Sequence, residues 1–163
     1  MLRKAVLEDI QGICRVCSAG WRASYQNLLP KATIEKVIAD FYNLERVRSE
    51  VLDPKDWNGW WVARDSEVVA AGGGGMIDET KCELFVIYVD PDRRGEGIGT
   101  QLLEAITAEL TEQGATVQQV STLKENKKGL PFYKARGFSV VGKGEAYGRP
   151  DGEHESILLE RKL

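Results

Sequence analysis

An α/β domain is the fold class this sequence predicts, and two observations predict it. Short apolar runs of strand type, such as residues 84–89 and 117–122, alternate with segments whose apolar residues recur at helical spacing. Ile98, Leu102, Leu103, Ile106 and Leu110 form the clearest helical series. The chain has 163 residues, 42% of them hydrophobic, which suits one domain over 1–163 built around one core.

In chain order, a first strand is expected at 2–6. Glu8-Asp9 makes an acidic helix start, and Ile10, Ile13, Cys14 and Cys17 carry a helix to about residue 20. Residues 21–30, with Trp21, Tyr25, Leu28 and Leu29, read as a turn or helix end. A second helix follows at 32–42, and a short third runs through Val47. Asp53-Pro54 to Asn58-Gly59 is a turn cluster. Strands at 60–63 and 68–71 pair as a hairpin around Asp65-Ser66. The glycine run at 72–75 tempts as a phosphate loop, but no helix follows it, so the end or a bulge of a strand is expected. Next come the central strand at 84–89, a helix to about residue 113, a strand at 117–122 and a short helix ending near Arg136. Strands at 138–142 and 156–161 close the chain, joined by a loop over 145–155 that carries Tyr147, Pro150 and Gly152.

The formal charge of −3, with both signs interspersed, leaves no basic stripe for nucleic acid. No apolar stretch reaches the length of a membrane span, and Met1-Leu2-Arg3-Lys4 leads into no signal segment, so a cytoplasmic protein is expected. Three cysteines, an odd number, argue against a disulfide framework. Cys14-x-x-Cys17 falls in a helical pattern; buried helix thiols are the better reading than a redox pair or a zinc site, and no metal is expected. His154, in the last strand region, reads as structural or solvent-facing.

Residues 89–103, Val-Asp-Pro-Asp-Arg-Arg-Gly-Glu-Gly-Ile-Gly-Thr-Gln-Leu-Leu, carry the chemistry. Asp90-Pro91 stops the central strand, because proline lacks an N–H and turns its predecessor away from helix. Glycines at 95, 97 and 99 then make a tight turn, and a helix opens behind it near Gly97. Unpaired main-chain N–H groups and the positive end of the helix dipole converge there on an anion site. A dinucleotide fingerprint would need glycine where Thr100 stands, and a P-loop would need a Gly-Lys-Ser/Thr ending that is absent. The kinase signatures are absent too. A plain tight strand–helix loop is the other reading.

Arg94-Gly95-Glu96-Gly97-Ile98-Gly99, with Val-x-Pro before it and Leu-Leu after it, resembles the [Arg/Gln]-x-x-Gly-x-[Gly/Ala] signature of the GNAT N-acetyltransferase superfamily. Asn126, Phe132-Tyr133 and Gly137-Phe138 resemble that family's second motif, with Gly129 in place of the usual alanine and an unusual Pro131. Proline is tolerated if it lies in a helix's first turn. The resemblance covers about residues 58–145 and implies a mixed sheet of about seven strands with helices on both faces. It implies that acetyl-coenzyme A is the acyl donor, its pyrophosphate on Arg94, Gly95, Glu96, Gly97, Ile98, Gly99 and Thr100. Its pantetheine arm would pair with backbone at Ile87, Tyr88 and Val89, and Asn126 would complete the cofactor site.

Acetyl transfer to an amine needs a proton acceptor for the amine and a donor for the leaving thiolate. By the resemblance Tyr133 is the acid; a core aromatic with a satisfied hydroxyl is the alternative. Glu83, eleven residues before Arg94, is the candidate base. On a regular strand Glu83, Phe85, Ile87 and Val89 point one way, which would put the carboxylate on the face lining the thioester cleft. A solvated strand-end glutamate is the alternative.

The resemblance implies N-acetylation of a primary amine: a small basic metabolite, a polyamine, or a peptide or protein amine. Trp21, Tyr25 and Tyr147, with Trp60 and Trp61, could line the acceptor side, where Glu83 and Asp78 would suit a cation; as core aromatics they would do neither. A non-catalytic acyl-coenzyme A sensor of the same fold, transfer to a hydroxyl and transfer of a longer acyl group are rival readings. Relatives often form homodimers, but no residue here fixes the oligomeric state.

Overall fold

The computed structural model describes residues 1–143 and 155–163. Its strands are β1 (Leu2–Lys4), β2 (Trp61–Arg64), β3 (Val68–Met76), β4 (Lys81–Val89), β5 (Val117–Leu123), β6 (Ser139–Lys143) and β7 (Ser156–Lys162). They form one seven-stranded sheet in the order β1-β2-β3-β4-β5-β7-β6. Every neighbouring pair is antiparallel except β4 and β5, which run parallel. The helices are α1 (Ile10–Tyr25), α2 (Lys31–Phe41), α3 (Leu44–Leu52), α4 (Ile98–Glu112) and α5 (Gly129–Ala135). The mixed sheet expected from the resemblance is therefore found.

Apolar stripes place the helices on both faces. Leu102, Leu103, Ile106 and Leu110 of α4 pack on Cys82, Leu84, Val120 and Leu159. Ile13, Val16 and Cys17 of α1 and Val47 of α3 pack on Trp60, Val62, Val68 and Ala71 across the sheet. Each such fully buried aliphatic side chain contributes about 1.5–3 kcal/mol. Helix α1 runs to Tyr25 rather than stopping near residue 20, because Trp21 and Tyr25 continue its buried face. Gln26 caps its end, and Asn27 after it turns left-handed at φ 66°.

A buried carboxylate ties the start of α1 to the sheet edge. Asp9 accepts hydrogen bonds from Arg3 Nη1 at 2.6 Å, Arg64 Nη1 at 3.0 Å and the Val6 N–H at 2.8 Å. Burial alone would lift its pKa, but these donors outweigh burial and hold the carboxyl below its ordinary value.

Two irregularities shape the centre of the sheet. The glycine run belongs to β3, which continues to Met76, and the register shifts between Gly73 and Gly74. The expected bulge is present, but the strand does not end there. Gly74 stands opposite Leu84 and Gly73 opposite Val86, so Phe85 is the extra residue on β4. An extra residue reverses the alternation of faces. Leu84, Ile87 and Val89 therefore pack toward α4, while Val86 and Tyr88 lie with α1 and α3. Glu83 pairs with Gly75, whose missing Cβ leaves room for Trp57, and the Phe85 ring lies 6.3 Å from that of Trp57. Glu83 and Phe85 thus share the α3 side, and the reading that put them on one face with Ile87 and Val89 is corrected. The second irregularity is a splay. β4 pairs with β5 only as far as Leu84 opposite Val120, while β5 continues beside β7 to Leu123. Past that point the two parallel strands part and leave a cleft.

Candidate active site

At the C-terminal end of β4 the backbone enters the glycine turn. Gly95 and Gly97 adopt φ of 85° and 80°, a left-handed conformation that L side chains rarely hold. A Cβ at either would meet nothing within 4 Å, so glycine is there for conformation and access. Gly99 serves packing, since a Cβ would press on Phe132 and Val89 at 3.3 Å. Gly97 caps α4, and the N–H groups of Gly97, Ile98, Gly99 and Thr100 find no acceptor among the described residues. Beside them Arg94 Nη1 is buried and also without a partner among those residues. Four amides, a helix N-terminus and an unpaired guanidinium nitrogen make a site that fits a diphosphate. Glu96 is held aside by Arg93, which donates to it at 2.9 and 3.1 Å.

Sequence reasoning missed Arg136. Its Nε donates to Thr100 Oγ1 at 2.9 Å, in the first turn of α4, and its guanidinium lies 3.9 Å from the centre of the Phe132 ring. This brings a second cation to the anion site. The signal was a lone arginine three residues after Tyr133, which no local pattern connects to Thr100.

The splay opens a cleft of about 50 Å³ walled by Ile87, Tyr88, Asn126, Tyr133, Trp21 and Tyr25. Tyr133 is 7% exposed, edge-on to Phe132 and Phe138, and its hydroxyl has no partner among the described residues. Burial pushes its pKa above the ordinary tyrosine value. Trp21 and Tyr25 are buried with Leu123, their rings 4.5 Å apart. Asn126 uses its side chain internally: Nδ2 donates to Thr122 Oγ1 and Oδ1 accepts from the Gly129 N–H, both at 2.9 Å. A Cβ on Gly129 would collide with that amide, which accounts for glycine where the motif has alanine. Pro131 falls in the first turn of α5, where its missing N–H costs no helical bond.

Glu83 is 5% exposed, so the solvated reading fails. Gln119 Nε2 donates to its Oε1. Burial raises its pKa and the Gln119 bond only partly offsets this. Asp78 is occupied in its own turn, accepting from the Thr80 and Lys81 N–H groups at 2.8 and 2.6 Å. Trp60 and Trp61 point to opposite faces: Trp60 packs with α1 and α3, whereas Trp61 packs on α4, its Nε1 donating to Glu109 at 3.1 Å. Cys14, Cys17 and Cys82 are free, and burial raises all three thiols. No group of three potential metal ligands occurs among the described residues. Tyr147 and His154 lie outside the described residues.

The model of the acetyltransferase (GNAT) family matches residues 22–138. The chain belongs to that family. With membership comes the reaction, acetyl-coenzyme A-dependent N-acetyl transfer. Among characterised GNAT proteins, a spermidine N(1)-acetyltransferase of Thermoplasma acidophilum is 24% identical over 173 residues, covering 99% of this chain and 96% of its own length. The [ribosomal protein bS18]-alanine N-acetyltransferase of Escherichia coli is 30% identical over 85 residues, 52% of this chain and 56% of its own. Among solved GNAT folds, the PaiA N-acetyltransferase of Thermoplasma acidophilum in complex with coenzyme A superposes with a TM-score of 0.85 at 23% identity, covering 100% of this chain and 98% of that one.

Proposed function

We propose that this GNAT enzyme acetylates a primary amine of a small basic metabolite of the polyamine kind. The observation that carries the reading is the adjacency of two devices along β4: the splayed cleft with Tyr133 on its wall, and the glycine turn with its unpaired donors at the strand's end. The spermidine acetyltransferase that spans nearly the whole chain supports the acceptor class, whereas the ribosomal alanine acetyltransferase matches only about half of it.

Bound, acetyl-coenzyme A supplies the thioester whose acyl carbon the amine attacks, with loss of the thiol. In this reading Ile87 and Val89 offer the backbone groups left unpaired by the splay, whereas those of Tyr88 between them turn to β3, and Arg94 and the 97–100 amides hold the diphosphate. Glu83 accepts the proton of the acceptor ammonium, directly or through water. Its raised pKa brings it closer to neutrality and makes it a better base than an ordinary carboxylate. Tyr133 donates to the leaving sulfur. The burial that disfavours phenolate disfavours a thiolate in the same cleft, so the neutral hydroxyl is the donor. Trp21 and Tyr25 close the cleft around the acyl end.

Thiol release from acetyl-coenzyme A in the presence of spermidine tests the reading. Absence of release with every amine tried, despite coenzyme binding, would favour the sensor alternative. Glu83→Gln is expected to lower turnover about a hundredfold at neutral pH and to flatten the acidic limb. In the wild type that limb lies above the ordinary glutamate pKa, because activity falls as pH drops through the raised value. An unaltered limb would move the base elsewhere. Gly97→Val places a β-branched side chain at φ 80° and should cost about 1–2 kcal/mol of stability. It should also weaken coenzyme affinity at least about tenfold, roughly the loss of one charge-assisted hydrogen bond. Calorimetry giving the wild-type Kd would contradict the diphosphate assignment.

A further inference from the structure

A larger opening than the cleft beside Tyr133 lies next to it, on the face of the sheet that α1 and α3 cover. A groove of about 780 Å³ runs between α3, the segment 53–57 and the bulged part of β4, in the size range of a small-molecule site. It shares Tyr42, Phe85 and Val86 with the cleft beside Tyr133, so the two meet across the bulge. The bulge makes this possible: it turns Phe85 and Val86 together toward the α3 side, the side on which Glu83 also lies.

The lining is aromatic and acidic. Trp57 and Trp60 stand edge-to-face at 5.4 Å, and Trp57 meets Phe85 in the same way. Three carboxylates, Glu50, Asp53 and Asp56, face two cations, Arg46 and Lys55. Glu50 is spoken for, accepting from Trp60 Nε1 at 3.0 Å and Arg46 Nε at 3.4 Å, and the Arg46 guanidinium also lies over the Phe41 ring at 4.3 Å. The side-chain carboxylates of Asp53 and Asp56 have no hydrogen-bond or ion-pair partner among the described residues. They line the same groove as Trp57, whose π face attracts cations.

Resting on the proposed acetylation of a polyamine, we propose that this groove is the acceptor's binding site. The reacting amine points past Phe85 and Val86 toward the cleft, and a second ammonium of the same molecule sits between Trp57 and the carboxylates of Asp53 and Asp56. The acceptor class is then an aliphatic amine with a second positive charge, selected over a monoamine by that distal pair. Trp21 and Tyr25 then mark the acyl end of the reaction, and the acceptor's body lies along α3 on the same face of the sheet.

The test compares spermidine with butylamine for the wild type and for the double variant Asp53→Asn/Asp56→Asn, whose substitutions lie at exposed positions. The wild type is expected to prefer spermidine in kcat/KM by about tenfold or more, the preference shrinking as salt is added. In the double variant it should fall to about twofold or less, through KM rather than kcat. A wild type without preference, or a variant that keeps it, overturns the groove assignment while leaving amine acetylation standing. If neither amine releases thiol, the proposed function fails by itself. The groove is then read as the ratio of Kd values for the two amines by calorimetry on the coenzyme-loaded protein, and equal or undetectable binding overturns it.

Discussion

Tyr133→Phe is expected to lower kcat by about 10²–10⁴-fold while leaving coenzyme affinity within about threefold of wild type. The substitution keeps the ring that packs edge-on to Phe132 and Phe138 and removes one hydroxyl, which has no partner among the described residues. No hydrogen bond among the described residues is therefore lost, and the melting temperature should hold or rise slightly. A group that binds substrate and transition state alike would change KM instead, so a fall in kcat alone is the signature of a proton donor to the leaving group. The pH profile adds a second check. Because burial holds the phenol above its ordinary pKa, ionisation of Tyr133 cannot produce a falling limb near pH 9. Steady-state thiol release over pH 6–10 reads both effects, and an unchanged kcat would remove Tyr133 from the acid role.

The parts of the site that were legible in the sequence are those whose chemistry is local. Gly95 and Gly97 need left-handed backbone, Pro91 stops a strand and Ile98 opens a periodic helix, and each of these is a property of a few adjacent residues. The facing of Glu83 was not local. It depends on one extra residue, Phe85, and that bulge exists only through the register of β4 against the glycine run of β3. Period-two reasoning had no means of seeing it. Arg136 was missed for a related reason, since its partner Thr100 lies 36 residues away on another helix. The end of α1 was misplaced because Gly20 reads as a stop. In the fold its missing Cβ admits the Tyr88 ring against the helix, and the buried face runs on through Trp21 to Tyr25. The groove beside Trp57 was illegible altogether, because residues of a turn cluster become a wall only when α3 and β4 close on them.

Asp9→Ala is expected to destabilise the fold by about 3 kcal/mol, at the low end of the range for breaking a buried pair because Arg3 and Arg64 keep part of their side chains in water. For a chain of this length that corresponds to a fall of about 6–12 °C in Tm. The cost comes from three donors left behind: two guanidinium groups on β1 and β2 and the Val6 N–H, each of which donates to Asp9 at the start of α1. The effect should carry a definite pH signature. Asp9 has a folded pKa below its unfolded one, so the native state binds fewer protons than the unfolded chain between those two values. Its contribution is therefore complete above the unfolded value, near pH 4, and drains away as pH falls through the depressed folded value. Urea unfolding of wild type and Asp9→Asn at pH 7 should show a clear gap in midpoint, and the gap should narrow as the pH is taken well below 4. A gap of the same size at both ends would mean that the residue acts through shape alone and that its charge is irrelevant to the fold. With the charge, β1 and β2 are pinned to the mouth of α1, the helix whose far end supplies Trp21 and Tyr25 to the reaction cleft. A variant that loosens this anchor should accordingly lose turnover at temperatures below its melting transition.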